Sequence, residues 1–187
     1  MNEQINLFDE PQKTSFKTVH GGTRTRGKRK DKRPLSTKYE IHLVLKSKKA
    51  IGQKSFFTHA KEVESIITTY ARKCGVMIKE SVNMGNHLHL RVKITDRKLF
   101  ASFLKTVTAL IARKITGARK GKSFGRFWDG LAFTRVLKTS FEILQLKGYL
   151  EGNRVEREKG YKAREDFLKN FNAWLYKLKR LKKVASI

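Results

Sequence analysis

Residues 76–94 read VMIKESVNMGNHLHLRVKI, and the way their side chains alternate decides the fold. From His87 onward Leu88, Leu90, Val92 and Ile94 fall on one side of an extended chain, while His87, His89, Arg91 and Lys93 fall on the other. Successive side chains of a strand point to opposite faces, so one face is apolar and the other carries imidazoles and cations. Upstream, Val76, Ile78 and Val82 alternate with polar residues, and Met84-Gly85-Asn86 is a connection short enough to make the two runs a hairpin.

Working outward, the same period of two appears in Tyr39-Glu40-Ile41-His42-Leu43-Val44-Leu45-Lys46, which predicts a strand. Between it and the hairpin, Val63, Ile66, Ile67, Tyr70 and Cys74 recur at helical spacing and Gly75 stops the run, predicting a helix over about 58–74. Cys74 reads as core. After the hairpin Asp96 is a plausible N-cap for a helix to about Gly117, with Leu99, Phe103, Leu104, Val107, Ile111 and Ile115 as its stripe. LAFTRVLK (131–138) reads as a fourth strand. Thr139 with Glu142 is a capping box that opens a third helix, through about Asn153. A basic amphipathic helix over about 162–183 closes the chain. The order β-α-β-β-α-β-α is buried most simply as a ferredoxin-like α+β fold, one antiparallel sheet with helices on a face. Three regions are expected: a disordered basic arm over 1–38, the folded domain over 39–158, and the C-terminal helix over 159–187.

Composition narrows the partner. Among 187 residues, 43 Lys plus Arg face 16 Asp plus Glu, a net charge of +27. Such a field concentrates polyanions, with nucleic acid foremost. No stretch is apolar enough to span a bilayer, the N-terminus is too polar and acidic for a secretory signal, and the single cysteine forms no internal disulfide. A cytoplasmic, nucleoid-associated protein is the expectation.

Two constellations carry chemistry. His87 and His89, two apart on one strand, can reach one metal ion; alone, the pair reads more readily as an exposed strand face, and context must supply the rest. His42, on the less apolar face of its strand, has two readings, a neighbour of the site or a packed or solvated histidine, and the second is favoured. On the third helix Glu142, Gln145, Tyr149 and Asn153 follow at spacings of three or four and form a polar stripe. A tyrosine in that stripe suits a hydroxyl aimed at a reaction, although an ordinary phenol, with a pKa of about 10, is a poor nucleophile unaided. A half-buried tyrosine among surface polar residues is the competing reading.

Gly85-Asn86-His87-Leu88-His89-Leu90 resembles the HUH signature of single-tyrosine transposases, and Tyr149-Leu150-Glu151-Gly152-Asn153-Arg154 resembles the tyrosine helix of the REP-associated tyrosine transposases, relatives of the smallest insertion-sequence transposases. Arg33-Pro34-Leu35-Ser36-Thr37-Lys38 and the strand after it are similar to the start of some members. The likeness spans roughly residues 20–155. It implies Tyr149 as nucleophile, His87, His89 and Asn153 as ligands of Mg²⁺ or Mn²⁺, hairpin-forming DNA as partner, and cleavage in an adjoining single strand through a 5′-phosphotyrosine. Arg154 stands where many members have proline.

Three basic segments are candidates for DNA contact: Arg24, Arg26, Lys28, Arg29, Lys30 and Arg33 in the arm; Arg119, Lys120, Lys122 and Arg126 in a loop that also holds Phe124, Phe127 and Trp128; and the last helix. Aromatics in a cationic groove suit single-strand binding, while Phe127 and Trp128 equally suit anchoring in the core. Arg91 and Lys93 extend the histidine face toward a phosphate. Gln4-Ile5-Asn6-Leu7-Phe8 resembles the peptide by which bacterial proteins dock on the DNA polymerase sliding clamp, with Gln4, Leu7 and Phe8 as anchors. The rival reading is a non-catalytic ferredoxin-like module for single-stranded DNA or RNA. RNA-recognition modules of that shape stack bases on aromatics of central strands, where this chain has histidines and cations. With no long apolar surface left over, a monomer is expected rather than a homodimer.

Overall fold

The structure, a computed structural model, describes residues 18–22 and 32–184. Five strands, β1 (Val19–His20), β2 (Glu40–Lys46), β3 (Val76–Asn83), β4 (His87–Ile94) and β5 (Phe133–Leu137), alternate with helices α1 (Ala60–Lys73), α2 (Arg97–Thr116), α3 (Ser140–Lys159) and α4 (Tyr161–Val184). The strands pair antiparallel in the order β1-β5-β2-β4-β3. Without β1 this is the ferredoxin-like order that the sequence pattern predicts. Two compact units result, one from Thr18 to Ile143 and one to which Leu144 and the residues after it belong.

In the sheet unit the predicted alternation holds on β4. Leu88, Leu90, Val92 and Ile94 are buried and pair in register with Leu45, Leu43 and Ile41 of β2 and with Val76 of β3. Phe100, Phe103, Val107 and Ile111 of α2 and Val63 and Ile67 of α1 complete this core. Each such side chain contributes about 1.5–3 kcal/mol by leaving water. Asp96 caps α2 by accepting from the Leu99 amide at 2.8 Å, and Gly117, at φ 67°, ends it in the left-handed conformation.

The structure corrects four expectations. A register shift between Ile78 and Glu80 sets a bulge at Lys79, so Val82 faces His89 instead of continuing the side of Val76 and Ile78. On α2 the buried stripe takes in Phe100, whereas Leu99 is exposed; both lie one turn before Phe103, and spacing alone does not choose between them. Val19 and His20, assigned to the arm, pair with Arg135 and Thr134 of β5. Gly21 makes this edge possible: at φ 84° it lies so close to β5 that a Cβ would sit 2.1 Å from the Ala132 carbonyl oxygen. Finally, α3 runs on to Lys159, past the end near Asn153 that its pattern predicts, and the compact units divide between Ile143 and Leu144.

The physical reason is found on α3 and α4 themselves. A Cβ at Gly148 would lie 1.9 Å from the Phe171 ring, and one at Gly152 would lie 3.0 Å from Leu168. Two glycines one turn apart let α4 approach the α3 backbone closely, after a turn at Gly160 with φ 87°. Phe171 stacks on Phe167 and tilts against Trp174.

Candidate metal and nucleic-acid site

The face of β4 opposite the core carries His87 and His89, with ring centroids 4.8 Å apart and planes at 82°. Each ring is held at Nδ1. His87 Nδ1 donates to Asn86 Oδ1 at 2.5 Å. His89 Nδ1 lies 3.1 Å from His42 Nε2, and the two rings stack at 5.3 Å. The β2–β4 register sets His42 opposite Arg91, diagonal to His89 on the same face. Desolvation by burial, with the Arg135 cation second, pushes the His42 imidazole down to about 3, so it is neutral at physiological pH. With both Nδ1 atoms engaged, Nε2 is the nitrogen each imidazole would turn to a metal, the arrangement in which outer hydrogen bonds fix tautomer and ring orientation. These donors fit a divalent ion. Among the described residues no three His, Cys, Asp or Glu side chains form a metal cluster.

His42 is the residue that sequence reasoning underrated. Its place on the less apolar face was legible, but only the cross-strand register brings it to His89.

The cations predicted beside the histidines are differently engaged. Arg91 reaches Glu40 at 2.6 Å and Glu80 at 3.2 Å, with its side chain 11% exposed. The bulge at Lys79 is what brings a carboxylate, rather than a lysine, opposite it. Arg91 is therefore neutralised within the sheet face instead of open to a phosphate. Lys93 Nζ donates to the Lys38 carbonyl. Arg33 donates to the Ala132 carbonyl at 2.7 Å and to Thr134 Oγ1 at 2.8 Å, clamping β5. The other arm cations, Arg24, Arg26, Lys28, Arg29 and Lys30, and the clamp-like peptide with Gln4, Leu7 and Phe8 lie outside the described residues.

In the loop after α2, Arg119, Lys120, Lys122 and Arg126 are all exposed, around a tight Arg119–Lys122 turn at Gly121. Phe127 is buried and Trp128 donates its indole N–H to the Thr108 carbonyl at 3.0 Å, so both anchor the loop. Phe124 is only half-buried, with Lys49 and Lys54 ammoniums 5.1 and 5.7 Å from its ring centre. A cleft of about 470 Å³ runs between this loop and the end of α2, lined by Arg113, Arg119, Lys120, Ser123 and Phe124 among others.

The helical unit holds the other predicted residues. Tyr149 is half-buried, and Asn153 is buried at 2% exposure with no hydrogen-bond partner for Nδ2 among the described residues. Arg164 of α4 sets its guanidinium carbon 5.8 Å from the Tyr149 ring centre and its Nη1 3.3 Å from Glu156. Among the described residues no helix is long and apolar enough to cross a membrane.

Residues 35–153 match the family described as "Transposase IS200 like". Among solved structures the chain is similar to a REP-associated tyrosine transposase bound to a REP hairpin, with TM-score 0.57, 11% identity, and coverage of 72% of this chain and 76% of that one. A crystallised candidate transposase from Deinococcus radiodurans R1 aligns with TM-score 0.40 and 20% identity over 67% of this chain and 98% of that one. No curated protein matches the sequence.

Proposed function

The chain belongs to the IS200-like transposase family, and on that premise we propose that it cuts and rejoins single-stranded DNA beside hairpins, with Tyr149 as the nucleophile. The observation that carries this reading is the imidazole pair on β4, each ring tied at Nδ1, on a face the family match includes. The solved relative bound to a REP hairpin supports hairpin DNA as the partner.

In the proposed reaction the Tyr149 hydroxyl gives up its proton and its oxygen attacks a backbone phosphorus. The bond to the 3′ oxygen breaks, that oxygen leaves with the electron pair and takes a proton, and the 5′ phosphate stays on Tyr149. Rejoining runs the step backwards, one phosphoester bond forming for each that breaks. His87 and His89, with Asn153 as the third ligand that the resemblance implies, would hold Mg²⁺ or Mn²⁺. When bound, such an ion polarises phosphate oxygen and stabilises the charge that develops there. His42 keeps the His89 ring in place, and the exposed cations of the loop, together with Arg24, Arg26, Lys28, Arg29 and Lys30 of the arm, bind the backbone.

The test mixes the protein with labelled hairpin oligonucleotides carrying single-stranded flanks, with Mn²⁺ or EDTA, on a denaturing gel. The expected result is a DNA–protein adduct that needs Mn²⁺ and is absent in Tyr149→Phe and His89→Ala. Tight binding across a broad oligonucleotide set with neither cleavage nor adduct would replace the enzyme by the non-catalytic binding module.

A further inference from the structure

The segment that matches the family ends at residue 153, and α4 lies wholly beyond it. Even so, α4 is fitted closely to the helix that bears the tyrosine, because Gly148 and Gly152 admit Phe171 and Leu168. The same packing sets Arg164 over the ring of Tyr149, at 5.8 Å. Its guanidinium is largely sheltered, with the side chain 15% exposed, and Glu156 pins it through Nη1. Its Nε, by contrast, is buried and makes no hydrogen bond among the described residues.

A buried donor without a partner carries a desolvation cost and calls for an explanation. Serving only as a fastener between α3 and α4 would leave that cost uncompensated. A guanidinium is planar, permanently charged and suited to gripping phosphate oxygens along one edge while another group holds the opposite edge. Here Glu156 supplies the holding contact.

Resting on the reading of Tyr149 as nucleophile, the geometry points to Arg164 as a further catalytic residue, one that binds the charged oxygens of the phosphate Tyr149 attacks. The C-terminal helix is then part of the catalytic unit, presenting this cation to the reacting group. Charge placed where it develops in the transition state is among the strongest contributions to such reactions.

The experiment compares full-length protein with Arg164→Ala and Arg164→Lys in single-turnover adduct formation. Two hairpin oligonucleotides are used, one with the normal phosphodiester at the cleaved linkage and one with an uncharged methylphosphonate there. Thermal unfolding of each variant is followed in parallel. On the phosphodiester, Arg164→Ala is expected to slow the adduct by on the order of 10²-fold, with Arg164→Lys in between. On the methylphosphonate, which lacks the charge that Arg164 meets, wild type and variant should come within a few-fold of each other. An equal loss on both linkages, no loss on the phosphodiester, or a wild type unable to use the methylphosphonate would each overturn the assignment and leave Arg164 structural. If Arg164→Ala does not fold, Arg164→Lys carries the same comparison. A wild type that forms no adduct through Tyr149 on the phosphodiester would instead sink the nucleophile reading, and this inference with it.

Discussion

His42 shows how one side chain can matter without touching a substrate. Its Nε2 lies 3.1 Å from His89 Nδ1 and it is neutral through burial, so it can accept the proton that a metal-ligating His89 keeps on Nδ1. Replacing it by Phe preserves the packing and removes the contact. Mn²⁺ affinity, titrated directly on the protein without DNA, should fall by about 10–100-fold; an unchanged affinity would show that His42 only fills space. Glu142 offers a second test, through pH. Burial alone would raise its carboxyl, but the Arg135 guanidinium and the amides of Lys138 and Thr139 outweigh burial and hold it below the ordinary range. Because the folded value is lowered, the stabilisation is present above the unfolded carboxylate pKa, about 4.3, and is lost as pH falls through the folded value. The stability gap between wild type and Glu142→Gln, followed by denaturant midpoint, should therefore be widest near neutrality and close on acidification. A gap that stays constant down to pH 3 would refute the linkage. The capping box around Glu142 was legible because its partners are three residues apart. The His42–His89 contact was not, since it depends on how two strands 47 residues apart are registered.

At the scale of the element, α3 and α4 supply the sharpest expectation. Gly→Ala within a helix ordinarily stabilises by up to about 1 kcal/mol. At Gly148 the added methyl would meet the Phe171 ring at 1.9 Å, and overpacking of that kind costs about 1–3 kcal/mol. Gly148→Ala should therefore lower the melting temperature, and Phe171→Leu added to it should recover part of the loss, a coupling expected only between residues in contact. Gly152→Ala should be milder, because it meets the flexible end of Leu168 at 3.0 Å. A higher melting temperature for Gly148→Ala would mean that α4 does not pack there. Periodicity found both helices and the long strands, since each repeats its pattern over several turns or pleats. It passed over β1, in which two residues carry no period, and the bulge at Lys79, which shifts one residue without altering composition.

For the molecule as a whole the governing quantity is charge. At +27 the chain is drawn to any polyanion, so affinity alone says little about which segment touches DNA. The salt dependence says more. Each phosphate neutralised contributes about 0.9 to the slope of log affinity against log salt on duplex, and about 0.7 on a single strand. If Arg24, Arg26, Lys28, Arg29 and Lys30 grip a hairpin stem, converting all five to Gln should flatten the slope on a blunt hairpin by about 4.5. The same change should leave a single-stranded oligonucleotide nearly unaffected. The exposed loop cations Arg119, Lys120, Lys122 and Arg126, if they track the single strand beside Phe124, should show the reverse pattern, with a change of about 3 on the single strand. Arg33 and Arg91 serve as internal controls, because their guanidiniums are engaged within the fold. Their loss should lower stability and leave both slopes in place. A segment whose removal changes neither slope makes no phosphate contact, however basic it is, and its charge then acts only at a distance, by speeding the encounter rather than by holding the DNA.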